Sequence, residues 1–311
     1  MLSLNEIPQY DTNHYAVVDL GSNSFHLSIV CLHKNKINTV NKVKRKVRLA
    51  SGLNNQNELS EKAIKRGLDC LSLFAKHLST IPLSNIKIVA TATLRIAKNR
   101  DDFLTKANNI LPVKIQLLTG KQEAETIYSG VAYTCQSDLS LKRLVVDIGG
   151  ASTELIIGKG TIAKKAVSLD VGCVSFRERF FTNGQLSEQN FATAIDAACS
   201  IIMPVRTDFV ALGWQTVVGS SGTIQALAEI LSYRQQSIII TNSFLHEIKQ
   251  ALIECQSIEH IFLDGLRTDR KSVLASGLCI LIALFNCLDI KELKLSTGAL
   301  REGILHEMLP S

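Results

Sequence analysis

The eight cysteines of this chain, at positions 31, 70, 135, 173, 199, 255, 279 and 287, include no C-x-x-C pair. That argues against a disulfide framework and for reduced thiols in a cytosol. The seven histidines form no H-E-x-x-H segment and no Cys/His cluster, so no zinc site is indicated. There is no G-x-x-x-x-G-K-[ST] segment, which excludes a P-loop enzyme. The chain does not open with a basic stretch followed by an apolar core, so no secretory leader is expected. The most apolar run, residues 273–288, is interrupted by Ser276, Gly277 and Asn286 and is too short for a membrane span; it reads as a buried helix. No segment is of low complexity, and 46% hydrophobic against 20% charged residues excludes disorder. Neither an aromatic-rich sheet motif nor a recognition-helix motif accompanies the net charge of +6, so no nucleic-acid partner is assigned.

What is present is an internal echo. The stretch VVDLGSNSFHLSIV (residues 17–30) recurs 128 positions later as VVDIGGASTELIIG (residues 145–158). In each copy β-branched residues suit a buried strand and bring Asp19 or Asp147 to its end at an exposed turn. Gly21 and Gly149 then let the backbone bend and approach a ligand. Past the glycine, the N–H groups and hydroxyls of Ser22, Asn23 and Ser24, and of Gly150, Ala151, Ser152 and Thr153, offer an anion-binding concavity without any lysine. Asp19, Asp147 and Glu154 repel phosphate, but they suit Mg²⁺, which takes a few carboxylates together with waters and substrate phosphates. A single copy reads equally well as an ordinary hairpin with turn-forming Asp and Gly. Two copies in the same order favour a duplicated architecture.

Length allows two domains of ordinary size, placed at residues 1–127 and 128–311. The first half reads as the hairpin, further strands, and a helix over residues 61–78 capped by Ser60. A strand at 86–90, a turn and helix around 91–106, a strand at 113–118 and a helix from about Lys121 follow. The second half repeats the hairpin and then shows helices around 188–203, 224–231 and 243–254, with the apolar one after Lys271. This alternation predicts mixed α/β sheets flanked by helices. A third turn, Gly219-Ser220-Ser221-Gly222-Thr223, lies between a strand and a helix; it is an anion site at a helix N-terminus or simply a helix cap. In KVKRKVRL (residues 42–49), a period of two places Lys42, Lys44, Lys46 and Arg48 on one strand face. That face either guides a polyanion or protects a sheet edge.

With these features assembled, the chain resembles the actin, sugar-kinase and heat-shock ATPase superfamily, and within it the exopolyphosphatase / guanosine pentaphosphate phosphatase family. The residues that carry the resemblance are AVVDLGSNSFHLSIV (16–30), KRKVRLASGL (44–53), VATATLR (89–95), TGKQEAETIYSGVA (119–132), LVVDIGGASTEL (144–155), LDVGCVSFRERF (169–180), GSSGTIQAL (219–227) and STGALREGIL (296–305). Three of these segments look more like the guanosine pentaphosphate branch; the exopolyphosphatase branch tends to have a third glycine where Ala151 stands. The resemblance implies a duplicated actin-like, ribonuclease H-like fold: two α/β lobes with an active-site cleft between them.

The family's catalytic base falls on Glu123. Read from the residues alone, Glu123 either activates an attacking water or complements a helix dipole. Gln122 stands where many members have a second acid, and Glu125 where many have arginine. Arg95 is the candidate guanidinium for a phosphate, or else it pairs with a carboxylate. Asp147 and Glu154 resemble the family's Mg²⁺-linked acids, with Asp19 equivalent by internal symmetry. Arg270 and Arg301 also fall on family positions, as ligands or as structural arginines at helix ends. Cys173 reads as a small buried residue, since no histidine accompanies it. The resemblance implies a cytoplasmic Mg²⁺-dependent hydrolase that converts guanosine pentaphosphate (pppGpp) to guanosine tetraphosphate (ppGpp) and trims inorganic polyphosphate, without a membrane partner; a homodimer is left open. Exopolyphosphatase action as the main activity is the alternative. A metabolite kinase of the same superfamily would instead label a second substrate, and a non-catalytic alarmone-binding module would release no phosphate.

Overall fold

The computed structural model describes residues 9–34, 36–135 and 140–309. The chain divides into two units, Met1–Thr119 with Ile304–Ser311, and Gly120–Gly303. In the first, the strands are β1 (His14–Leu20), β2 (Ser24–His33) and β3 (Lys36–Lys46), followed by helix α1 (Glu61–Leu78), β4 (Ile86–Ala90), α2 (Ala92–Ile96), α3 (Arg100–Asn108) and β5 (Gln116–Leu117). They form a sheet of order β3-β2-β1-β4-β5 in which β1 pairs antiparallel with β2 and parallel with β4. Alternate residues Ala16, Val18, Leu20, Phe25, Leu27 and Ile29 face one core with Ile64, Leu71 and Phe74 of α1 and Phe103 of α3. Ser60 caps α1 by accepting a hydrogen bond from the Ala63 N–H, as its position predicts.

The second unit contains α4 (Gly120–Thr134), β6 (Lys142–Ile148), β7 (Thr153–Lys159), β8 (Ile162–Leu169), α5 (Cys173–Phe180), α6 (Glu188–Leu212), β9 (Thr216–Ser220), α7 (Gly222–Tyr233), β10 (Ile239–Thr241), α8 (Asn242–Glu254), α9 (Lys271–Leu288), β11 (Glu292–Leu295) and the start of α10 (Leu300–Met308). Its sheet order, β8-β7-β6-β9-β11-β10, repeats that of the first unit strand for strand and adds β10 at the edge. The duplication extends to an irregularity: the β2/β3 ladder shifts register between Ile29 and Val30, and the β7/β8 ladder between Ile157 and Gly158, the matching place in the echo. The chain therefore has the duplicated actin-like fold. Residues Thr268–Leu288 are long and apolar enough to cross a membrane by length and composition alone, yet α9 is buried in the second unit as the sequence predicts. It packs on α6, where Arg206 Nε donates to the Cys287 carbonyl at 2.8 Å.

Several expected boundaries move. The division expected between residues 127 and 128 falls inside α4, whose buried face is continuous through Ile127, Tyr128 and Val131. Helix α6 does not stop at Met203: it runs through Pro204 to Leu212, where Phe209 is still buried, and ends at Gly213 with φ 63°. The lost N–H of Pro204 costs less than unburying that last stretch. Arg48 leaves the alternation of the basic strand, because β3 ends at Lys46 and Arg48 has φ 51°. The strand expected over 113–118 is reduced to Gln116–Leu117, and the Ile115 N–H donates to Asn108 Oδ1 at 3.0 Å instead of to a ladder.

The turn and helix expected around 91–106 resolve into two helices, α2 and α3, and Asn99 is the reason. Its side chain accepts from the Leu59 N–H at 2.8 Å and donates to the Leu59 carbonyl at 2.9 Å, which pins the break. Asn99→Ala leaves both groups of Leu59 without these partners and should lower the unfolding free energy by about 2 kcal/mol. Urea denaturation measures this; an unchanged midpoint contradicts the role given to Asn99.

Candidate active site

The second Asp-Gly turn is built by the ends of β6 and β7. Val145 and Val146 are buried, and the ladder sets Asp147 opposite Glu154. The Gly149 N–H closes the turn on the Ser152 carbonyl at 2.8 Å, and a Cβ at Gly149 would come within 2.9 Å of that oxygen. Gly21 of the first turn has the same 2.9 Å limit against the Ser24 carbonyl, so both turns need glycine for one reason. The segment before α5 packs onto the turn: the Cys173 N–H donates to the Gly149 carbonyl at 2.9 Å and the Val174 N–H to that of Gly150 at 2.8 Å. Ala151 and Gly150 lie directly against Gly172, a contact that a side chain at Gly172 would break.

Three carboxyl groups interact here. Glu154, 1% exposed, accepts at Oε1 from both Ser152 Oγ and Ser168 Oγ at 2.7 Å. Burial, then repulsion from Glu123 and Asp147, holds its carboxyl well above the usual range, against the lowering effect of the two serines. Asp147 Oδ2 accepts from Ser220 Oγ at 2.5 Å. Burial pushes the Asp147 carboxyl up to about 6; the Ser220 hydrogen bond and the Arg301 guanidinium oppose this, and Glu302 adds to it. Glu123, 6% exposed, comes from the first turn of α4. Thus Glu123, Asp147 and Glu154, read from distant parts of the sequence, are brought together within one unit. Among the described residues no three His, Cys, Asp or Glu side chains form a metal cage. The surplus of negative charge nevertheless fits a divalent cation such as Mg²⁺, which needs only one or two carboxylates when waters and substrate phosphates complete its shell.

The other expected residues fall in several places. Ser152 is spent on Glu154, and Thr153 Oγ1 donates to the Val171 carbonyl at 2.6 Å, fastening the turn. Gly219 and Ser220 end β9, while Gly222 and Thr223 begin α7, so the third turn narrows to Ser221 at φ 122°. Ser221 caps α7 by accepting from the Ile224 N–H at 3.5 Å. Such a φ in a serine is strained and marks a built turn. The Arg270 guanidinium lies against Gly222. Cys173 is buried and its thiol is pushed up to about 11, mainly by burial, so it is inert at neutral pH. In the first unit, Asp19 stands opposite His26 in the ladder. The Ser22 and Asn23 carbonyls accept from the Ala50 N–H at 2.9 Å and the Arg48 N–H at 2.8 Å, and Ser24 is buried. Arg95 Nη1 donates to the Leu118 carbonyl at 3.1 Å. The sequence reading missed Ser168 and Glu302. A lone serine near the end of β8, in register with Glu154, was the available signal for the first.

The family model described as the Ppx/GppA phosphatase family matches residues 28–311. A guanosine-5'-triphosphate,3'-diphosphate pyrophosphatase of Photobacterium profundum is 50% identical over 295 residues, covering 95% of this chain and 59% of its own length. One from Pseudoalteromonas atlantica is 46% identical, covering 99% and 61%. The chain thus spans about three fifths of the length of these relatives. An exopolyphosphatase from Cytophaga hutchinsonii superposes with a TM-score of 0.85 at 22% identity, over 95% of this chain and 97% of its own, a likeness of fold. The Aquifex aeolicus PPX-GPPA enzyme gives 0.74 at 25% identity, over 94% and 99%.

A raised carboxyl binds its proton more tightly in the folded state, so it favours folding below pH about 4, and that contribution is lost as pH rises through about 6. Asp147→Asn removes this titration and keeps an acceptor for Ser220. In metal-free buffer the variant should be the more stable protein at pH 8, by on the order of 3 kcal/mol, and equal to wild type near pH 4. Urea denaturation at both pH values checks it; a variant less stable at pH 8 contradicts the assigned burial cost.

Proposed function

The chain belongs to the Ppx/GppA phosphatase family, and from that premise we propose that it hydrolyses the terminal phosphoanhydride of guanosine pentaphosphate, giving guanosine tetraphosphate and phosphate. Inorganic polyphosphate, which ends in the same anhydride, is proposed as a second substrate. The observation that carries the reading is Glu123: a buried carboxylate on the first turn of a helix, electrostatically coupled to Glu154. A dipole-complementing glutamate needs neither burial nor acidic neighbours, whereas a general base beside a phosphate site has use for both.

In this reading Glu123 orients the attacking water and takes its proton. Burial, with repulsion from Glu123 and Asp147, raises the proton affinity of Glu154, which eases the negative charge beside Glu123. Backbone N–H groups of the Asp-Gly turns and of the third turn receive phosphate oxygens. Asp147 and Glu154 would hold Mg²⁺, with Asp19 its counterpart in the first unit; when bound, the ion offsets phosphate charge. Arg95 is proposed as a further phosphate partner. Phosphoryl transfer requires mainly positioning and charge compensation, which these residues supply. A cytoplasmic location is supported by the eight cysteines, all present as free thiols.

Phosphate release from guanosine pentaphosphate and from polyphosphates of defined length, at equal enzyme concentration, tests the proposal. Turnover of the nucleotide is expected; release from neither substrate refutes it. Glu123→Gln should keep the fold and ligand binding while lowering kcat by about 10² to 10⁴. Glu125→Gln should do far less, since Glu125 is half exposed, 3.8 Å from Lys121. Equal losses in the two variants would reject Glu123 as the base. EDTA should abolish turnover with little change in the Tm of the free protein, because the ion is held chiefly together with substrate. A large drop in Tm would mean a structural metal.

A further inference from the structure

Asp147 on β6, Glu154 on β7 and Ser168 on β8 form one row across three strands of the second unit. The row depends on a bulge. Gly158 pairs with Ala163, but Ile157 pairs with Lys165, so Lys164 is an extra residue in β8. Without it the ladder that starts at Gly158 and Ala163 would set Val167, not Ser168, opposite Glu154. Valine would bring two methyl groups to a buried carboxyl, where Ser168 brings a hydroxyl that donates to it. The bulge re-aims a donor at the acid.

Ser168 Oγ and Ser152 Oγ both donate to Oε1 of Glu154, each at 2.7 Å. A carboxylate oxygen offers two lone pairs, so these hydroxyls fill Oε1, and Oε2 receives neither of them. Burial alone does not ask for this. A carboxyl that needs only hydrogen-bond partners is served as well by one hydroxyl on each oxygen. Asp147 has a related arrangement with a single donor, Ser220 Oγ on Oδ2 at 2.5 Å. Ser152 is itself held by the turn: the Gly149 N–H donates to its carbonyl at 2.8 Å, and the neighbouring Thr153 Oγ1 donates to the Val171 carbonyl at 2.6 Å. Both donors to Glu154 therefore come from fixed backbone, which is how partners of a metal ligand set its orientation.

We propose that Ser168, together with Ser152, positions Glu154 to meet a divalent cation through Oε2 alone, and that this makes the site select Mg²⁺ over Ca²⁺. That role presupposes the functional reading above, in which Asp147 and Glu154 hold Mg²⁺. Mg²⁺ demands near-octahedral geometry and keeps several waters, which suits a single oxygen from each acid. Ca²⁺ readily takes a carboxylate through both of its oxygens. With Oε1 engaged by two hydroxyls, that second contact is closed to it. Ser168 is thus a positioning residue, acting on the ion through Glu154.

Isothermal titration calorimetry with a non-hydrolysable analogue of guanosine pentaphosphate, in saturating Mg²⁺, in saturating Ca²⁺ and in EDTA, reads the selectivity without turnover. Wild type should bind the analogue about tenfold or more tightly with Mg²⁺ than with Ca²⁺. Ser168→Ala should cut that ratio by about tenfold, because Oε1 can then turn to the ion. Ser152→Ala removes the other donor to the same oxygen and should move the ratio the same way. Ser168→Thr keeps the hydroxyl and should keep the ratio. A merely structural serine would, on removal, weaken binding with both cations alike; that result, or a ratio that Ser168→Ala leaves unchanged, overturns the positioning role. A threonine variant that behaves like the alanine one overturns it too. If wild type needs a cation but favours neither, the selectivity alone falls. If it binds the analogue equally well in EDTA, the metal reading beneath it falls as well.

Discussion

The burial of Glu154 and Asp147, to which repulsion from Glu123 and Asp147 adds at Glu154, is the constraint around which the second unit is arranged. Glu123, Asp147 and Glu154 come from a helix and two strands; Glu123 and Glu154 are buried and Asp147 partly so, and this deprives them of water that would screen their charge. The protein answers locally. Ser152 and Ser168 both donate to one oxygen of Glu154, Ser220 donates to Asp147, and Arg301 lies near enough to attract it. These groups soften the effect without removing it, since the Asp147 and Glu154 carboxyls remain raised. A site with such a surplus is poised to accept a proton or a divalent cation, and a phosphate chain can enter only with that charge compensated.

Duplication gives the molecule its economy. One topology, one strand order and one ladder irregularity are used twice, and each copy ends its first strand in an aspartate before a glycine turn. The copies then diverge in the cross-strand row that contains that aspartate. The second unit keeps an acidic row with hydroxyl support, which suits water activation and metal. The first replaces glutamate by His26 and adds Lys44 and Lys46, which suits an anion. Divergence on a fixed frame is cheap because the alternate residues of each strand, Val18, Leu20, Phe25 and Leu27 among them, go on filling the core unchanged.

Much of this was legible in the chain. The hairpins, the capped helix at Ser60, the buried apolar helix and the mixed α/β plan follow from periodicity and turn chemistry. Glu123 and Arg95 needed the family resemblance, because a glutamate in a first helical turn has an ordinary explanation. The break at Asn99 escaped because a side chain reaching Leu59, forty residues away, leaves no local trace. The passage of α6 through Pro204 escaped for the opposite reason: a strong local signal was overridden by burial further on. Ser168 could be found only through the β7/β8 register, which a bulge shifts by one residue.

Infrared difference spectroscopy tests the central constraint most directly. As the pH is raised, metal-free protein should keep the carbonyl stretch of a protonated carboxylic acid beyond the usual carboxylate range. That band should weaken in Glu154→Gln, and in wild type when Mg²⁺ is added together with a non-hydrolysable analogue of guanosine pentaphosphate. A spectrum with no protonated carboxyl there, or a band that neither change weakens, would contradict an account built on crowded acids that await a cation.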